Sequence, residues 1–437
     1  VTRPRLLVID LPTLRLDWIA TDMPELHALA RHWHRSPIEP VFPALTCPVQ
    51  ATLTTGVPPR VHGVIANGLF DRATRRPEFW VFPDERVQAR RVWEDFRQAG
   101  LKTGVFFLLN IRNCKTDAAL LPRPIHREDG SITPWCWHKP EGLYPELVRL
   151  MDDFDLLRFW GPLAGIESSL WIAEAAARTI HRHGLDVSFI YLPHTDYAPQ
   201  KFGPASEPYR QAHRELDAVL VNLIESVAED APHLWTLIVS EYAMTEVNRV
   251  VEPNKLLRRA GLLAVERRGP EEHLDFEGSA AFALVDHQIA HVYCDREHVG
   301  LVRSIFEAEP AVESVVARPS DCGLDHPNSG EVILVARRDA WFAYPWWHEA
   351  SAAPAYARTI DIHRKPGYDP LEMFWDPKIG GTAQDPLLIR GSHGAFPRDR
   401  DQNASVLSNL PGVEAVFTTG DVAAALRGAL EESLPRL

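Results

Sequence analysis

The sequence predicts an α/β fold: a doubly wound, mostly parallel sheet with helices on both faces, carrying a small α+β insertion. Three observations lead there. Short apolar runs such as Leu6-Leu7-Val8-Ile9 and Leu237-Ile238-Val239 lack polar alternation, as expected of strands buried on both faces. Stretches with helical spacing lie between them, at about 170–183 and 209–229. After residue 251 the texture changes to closely spaced strand-like runs around one helix, and the first rhythm returns near residue 361. The expected division is therefore a core of 1–250 with 355–437, and an inserted unit of 251–354.

Composition narrows the function. The chain has 437 residues, 45% of them hydrophobic, so a sizeable core can be buried. Lys+Arg is 46 and Asp+Glu is 59, a net charge of −13. That balance argues against a nucleic-acid partner. Any phosphate handled here needs local cations, and metal ions are the obvious source. Five cysteines, at 47, 114, 136, 294 and 322, form no CxxC pair, which disfavours a disulfide framework or a cysteine zinc site. No apolar run approaches about 18 residues, so no membrane partner is expected. Val1-Thr2-Arg3-Pro4-Arg5 lacks a signal peptide's apolar stretch, and a cytoplasmic location is the expectation.

Taken in order, Leu6 to Asp10 reads as a buried strand closing on a carboxylate. A short helix is expected over 24–33. Val41-Phe42-Pro43-Ala44-Leu45 then runs extended into Thr46-Cys47-Pro48. Thr46 suits a helix N-cap and Pro48 a first turn, with the helix ending near Gly56. A hydroxyl there meets unpaired N–H groups and the positive end of the helix dipole, where a phosphate would settle. His62 to Gly68 forms a glycine-bounded turn. A helix over 90–99 and a strand over 103–109 follow. Residues 114–165, rich in Pro, Trp and His, read as loops and short helices near a site mouth. A helix over 170–183 leads to a strand over 186–192 and Pro193-His194-Thr195-Asp196. The helix over 209–229 leads to a strand over 235–239 and Ser240-Glu241-Tyr242. In the insertion, strands are expected over 280–285, 291–295, 312–317 and 331–336, with a helix over 297–308. Leu387-Leu388-Ile389 then leads to Arg390-Gly391-Ser392-His393, and a last helix covers 421–432.

Strand-like runs thus end at Asp10, Asp196, Glu241 and His393. In open α/β sheets ligands gather at the carboxyl ends of strands, so these groups share one edge with Thr46. The ordered blocks Phe42-Pro43-Ala44-Leu45-Thr46, Gln50-Ala51-Thr52-Leu53-Thr54-Thr55-Gly56 and His62-Gly63…Asn67 resemble the nucleotide pyrophosphatase/phosphodiesterase branch of the alkaline phosphatase superfamily. So do Asp196…Gly203-Pro204, Ser240-Glu241-Tyr242, Lys365-Pro366-Gly367-Tyr368-Asp369 and Gly391-Ser392-His393-Gly394. The resemblance implies two metal ions, usually zinc, and a hydroxylate that attacks phosphorus to form a phospho-enzyme. By position, Thr46 is the nucleophile and Asn67 holds a phosphoryl oxygen. Asp10, Thr46, Glu241 and Tyr242 surround one ion; Asp196, Gln200 and His393 surround the other.

The chain departs from that pattern where Gln200 and Tyr242 replace two imidazoles and Glu241 replaces an aspartate. Oxygen donors shift the expectation from zinc toward one ion, or harder ions such as Mn, Mg, Ca or Fe. Three readings follow: a hydrolase of phosphodiester or pyrophosphate bonds in a small phosphorylated substrate, a phosphate-binding protein on the same fold, or a hydrolase of another bond such as carbon–phosphorus. Cys47 lacks the arginine that would complete a sulfatase motif and reads as a small packed residue. His62 and His194 are spare imidazoles near the blocks. His287 and His291 read as structural histidines of the insertion. The aromatics at 341, 342, 344, 346 and 347 read as a site cover or a buried anchor. Asp152, Asp153 and Asp155 read as a solvated turn.

Overall fold

A computed structural model describes residues 5–80, 83–126, 132–231, 233–397 and 403–432. Its principal strands are β1 (Arg5–Leu11), β2 (His34–Ile38), β3 (Thr103–Phe106), β4 (Ala118–Pro122), β5 (Cys136–Lys139), β6 (Val187–Tyr191), β7 (Leu234–Ser240), β8 (Ala281–Asp286), β9 (Ile289–Cys294), β10 (Val312–Val316), β11 (Val332–Ala336) and β12 (Ala404–Ser408). The main sheet has eight strands in the order β2-β12-β7-β1-β6-β3-β4-β5. From β7 to β4 every pairing is parallel. β12 pairs antiparallel with β7 and β2, and β5 pairs antiparallel with β4.

β1 lies between β6 and β7, with Asp10 opposite Tyr191 and Val239. The chain leaves all three strands at one edge, which brings Asp10, Asp196 and Glu241 together. The strands' apolar runs are buried between helices such as Ile166–His183 and Glu207–Ala228, forming one large core. A separate four-stranded antiparallel sheet, β8-β9-β11-β10, carries its own core with Phe306, Phe342 and Trp346. A third cluster joins Leu45 and Ile65 to Ile289, Ile333 and Val335, fixing the smaller sheet against the residue before Thr46.

Several elements differ from the sequence expectation. Residues 114–165 are not only loops: β4 and β5 belong to the main sheet. Ala118-Ala119-Leu120-Leu121 is the apolar run that the surrounding Pro, Trp and His obscured. The expected 24–33 helix stops at Leu29, and a turn leads from it into β2 at His34. Residues 41–45 are not a strand, and Phe42-Pro43 is a cis peptide bond. Leu45, not Thr46, is the N-cap; Thr46 is the first helical residue, and its hydroxyl makes no capping bond. Residues 387–389 are not a strand of the main sheet. Pro386–Leu388 is a 3-10 turn, and Gly391–Ser392 pairs with Thr245–Glu246 in a two-stranded ribbon. The aromatic group at 341–347 is a buried anchor, split between two clusters. Asp152, Asp153 and Asp155 are exposed, and Asp155 caps a short helix through the Leu157 N–H.

Candidate functional site

Thr46 is 6% exposed and opens the helix Thr46–Thr55. The segment before it is clamped to the His393 segment. His393 Nδ1 bonds the Ala44 carbonyl at 2.7 Å, Ala44 N–H donates to Gly394 O, and Phe42 stacks on Phe396 at 3.6 Å. His393 therefore donates through Nδ1 and turns a buried, unpartnered Nε2 elsewhere. Its position comes from this clamp rather than from a strand end.

The acids form two groups. Asp10 faces Glu241 and Gln50, and neither Asp10 oxygen has a hydrogen-bond partner. Glu241 Oε1 accepts from Gln50 Nε2 at 2.9 Å, while Oε2 is unpartnered. Burial pushes the Asp10 carboxyl up to about 7, and burial followed by the charge of Asp10 pushes Glu241 well above its usual range. Two buried acids side by side call for a proton or a cation. The second group is internally satisfied. Asp196 Oδ2 accepts from Gln200 Nε2 at 2.7 Å, and Asp196 Oδ1 accepts from the Tyr242 hydroxyl at 3.2 Å. Gln200 Oε1 accepts in turn from Tyr368 at 2.7 Å. Burial raises Asp196 to about 7 and keeps Tyr242 a neutral phenol. Tyr242 also lies 3.4 Å from Thr46 Oγ1, which ties the hydroxyl to this group.

Of the sequence-derived residues, Thr46, Asp196 and Tyr242 border one cavity of about 250 Å³. Asp10, Glu241, Gln200 and His393 stand behind that border through the contacts above. Asn67 is at the same helix start, but both ends of its amide are engaged: Oδ1 accepts from Cys47 N–H at 2.9 Å, and Nδ2 donates to Asp286 at 3.1 Å. His62 bonds Thr52, and His194 bonds Glu215 at 2.8 Å; neither lines the cavity. Among the described residues, three acid, imidazole or thiol donors meet within 4.8 Å only at Asp295, Glu297 and His298, none of which lines the cavity.

His287 is buried and partnered, as a structural histidine would be, yet it also borders the cavity. It occupies the two-residue turn between β8 and β9, with a left-handed φ of 58°, and lines the cavity. A β-carbon residue in that conformation costs roughly 1–3 kcal/mol, so the surroundings must hold it. They do. Asp286 Oδ1 bonds His287 Nδ1 at 2.8 Å, and the ring stacks on Tyr368 at 3.7 Å and lies 3.9 Å from His393. His393 stacks on Tyr242 at 3.5 Å, so four rings form a column, Tyr242, His393, His287, Tyr368. Burial holds both imidazoles neutral. Asp286 also accepts from Asn67 N–H at 2.8 Å, linking the smaller sheet to the Thr46 helix. The signal available in the sequence was a polar Asp-His pair set between two apolar runs. His291 is structural as expected: it is buried in β9, and its Nδ1 accepts from Gly330 N–H.

No helix among the described residues is long and apolar enough to cross a membrane. The fold is that of solved phosphate-ester and phosphonate enzymes. Human ectonucleotide pyrophosphatase/phosphodiesterase 5 superposes with a TM-score of 0.63 at 15% identity, covering 98% of this chain and 95% of that one. The murine protein, inactive through a threonine-to-alanine substitution and in complex with AMP, gives 0.60 at 14% identity, covering 99% and 96%. Phosphonoacetate hydrolase of Sinorhizobium meliloti gives 0.60 at 16% identity, covering 98% and 96%. An uncharacterized pyrophosphatase/phosphodiesterase of Schizosaccharomyces pombe is 22% identical over 270 residues, 57% of this chain. The match covers 47% of that relative, about half its length. Residues 6–369, most of the chain, match the type I phosphodiesterase/nucleotide pyrophosphatase family, and the chain belongs to that family.

Proposed function

We propose that the chain is a metal-dependent phosphoric ester hydrolase that cleaves a phosphodiester or pyrophosphate bond, with Thr46 as nucleophile. The carrying observation is Thr46 at a helix start on the cavity wall, backed by buried, unpartnered oxygens of Asp10 and Glu241 and an unpartnered His393 Nε2. Orphaned anionic oxygens of this kind fit a cation. Asp10, Glu241, Thr46 and Tyr242 would hold one ion; Asp196, Gln200 and His393 would hold a second. The oxygen-rich first set suits a hard ion such as Mg or Mn, and the imidazole of the second also suits Zn. A bound ion supplies Lewis acidity that favours the alkoxide form of a hydroxyl.

The chain's own groups supply the rest. Tyr242 donates its hydroxyl hydrogen bond to Asp196, so its oxygen faces Thr46 as an acceptor and leaves the threonine lone pairs free. Thr46 Oγ1 forms an O–P bond and gives up its proton as the ester P–O bond breaks, and the leaving oxygen takes that proton up. Water then bonds to phosphorus as the Thr46–P bond breaks, and the proton it gives up restores the Thr46 hydroxyl. Backbone N–H groups at the helix start, and Asn67 Nδ2 once turned from Asp286, would face the spread negative charge. The inactive murine relative lacks a threonine, in keeping with this assignment.

Thr46→Ala tests the reading. Turnover of a chromogenic phosphodiester by metal-replete protein should vanish with the circular dichroism spectrum intact; unchanged turnover excludes Thr46. Absence of both bound metal and hydrolysis with every divalent ion excludes the hydrolase. We also propose that residues 251–354 form an inserted unit on a core of 1–250 and 355–437, on the strength of their separate hydrophobic cluster.

A further inference from the structure

We infer that the ester group seated beside Thr46 is an uncharged hydrocarbon chain rather than a nucleoside or a second phosphate. The inference rests on the hydrolase reading for turnover, but not for binding. Beyond its polar end at Thr46, Asp196, Tyr242 and His287, the cavity wall is mostly apolar, with Trp80, Leu157, Phe159, Trp160, Ile360 and Ile362; Asp361, His363 and three further tyrosines complete its polar lining. Among the described residues no lysine, arginine, asparagine, glutamine or serine lines it. A nucleobase has a polar edge that needs donors and acceptors, and burying that edge without them costs several-fold in affinity at least. A second phosphate needs a cation. The charged groups at the walls are instead acidic, Asp196 and Asp361.

Two of the neighbouring cations are already committed. Lys365 is 1% exposed, with its ammonium 2.7 Å from both Asp369 and Glu372. Arg364 is paired with Asp361. The walls are fixed as well as apolar: Trp160 donates its indole N–H to Glu372 at 2.6 Å, and Tyr197 donates to the Phe159 carbonyl. At the mouth Leu157 is 52% exposed, so apolar surface continues outward in the direction a longer chain would take. An aliphatic group gains from such a wall in proportion to the area it buries.

The test uses full-length protein in two arms. In the first, metal-replete enzyme is given p-nitrophenyl esters of methyl, butyl and octyl phosphate and of thymidine 5′-phosphate. kcat/KM should rise about two- to fourfold per methylene from methyl to butyl, with the thymidine ester below the butyl ester. Ile362→Asp and Leu157→Asp should each flatten that slope. In the second, Thr46→Ala protein is titrated with octyl phosphate and thymidine 5′-phosphate, read by tryptophan fluorescence. Octyl phosphate should bind at least tenfold more tightly. A flat chain-length series, a preferred thymidine ester, or equal binding of the two phosphates overturns the inference while leaving the hydrolase standing. Tight octyl phosphate binding with no turnover of any ester sinks the hydrolase and keeps the hydrocarbon site.

Discussion

Asp196→Asn separates the two demands placed on the buried acids. Asp196 sits at the carboxyl edge of the main sheet, where burial raises its carboxyl from 3.8 to about 7. Between those values the folded protein holds a proton that the unfolded chain has released, so stability falls as pH rises through that window. Below about 4 both states are protonated and the group contributes nothing; above about 7 the full penalty applies. At 1.36 kcal/mol per pH unit the displacement is worth about 4 kcal/mol. Asparagine removes the charge but turns one acceptor into a donor, against Tyr242 or Gln200, at a cost of about 1 kcal/mol. The variant should therefore be about 2–3 kcal/mol more stable than the parent at pH 8 in chelator, with the advantage gone at pH 4. Urea unfolding at both pH values measures it. Added Mn or Zn should raise the midpoint of the parent more than that of the variant, which keeps only the site at Asp10 and Glu241, because an ion bound only to the folded state stabilises it. A variant less stable than the parent at pH 8, or a difference independent of pH, refutes the argument that charge burial dominates at this position.

Three further substitutions probe the surroundings. Asp286→Asn leaves one of the donors on Asn67 or His287 without its anionic acceptor; it should cost about 1–3 kcal/mol and lower kcat/KM at least about tenfold by loosening groups at the Thr46 helix, and an unchanged kcat/KM removes Asp286 from the positioning network. Gly391→Ala would place a β-carbon 2.2 Å from the Pro199 carbonyl oxygen, so the helix Tyr197–Phe202 must move and carry Gln200 with it; about 1–3 kcal/mol of destabilisation and weaker metal uptake by calorimetry are expected, and parental values for both would show that the ribbon and helix are not coupled. Trp346→Ala empties a fully buried position in the smaller core and frees the Glu272 carbonyl from the indole N–H; it should cost about 3–5 kcal/mol and lower one of two calorimetric transitions, whereas a single transition moved as a whole refutes an independently folding insertion.

Much of the architecture is local in origin and was readable. Strands buried on both faces must be continuously apolar, so β1, β6 and β7 announced themselves, as did the carboxylates that follow them and the helix that Thr46 begins. The same rule concealed β4, whose short apolar run is closely followed by prolines. The family blocks carried the site residues because their order survives folding unchanged. What pattern could not supply was contact between distant segments. His393 is in place through the Ala44 carbonyl and the Phe42–Phe396 stack, not through a strand. His287 arrives from a hairpin in the smaller sheet, held there by Asp286 and Tyr368 against the preference of its own backbone. The cavity wall is assembled from Trp80, Phe159, Trp160 and Ile360, side chains of segments with no shared periodicity. Burial is a property of the assembled packing: the chain determined which groups could ionise and which rings could stack, and only the tertiary structure decided which of them lost water and acquired one another as partners.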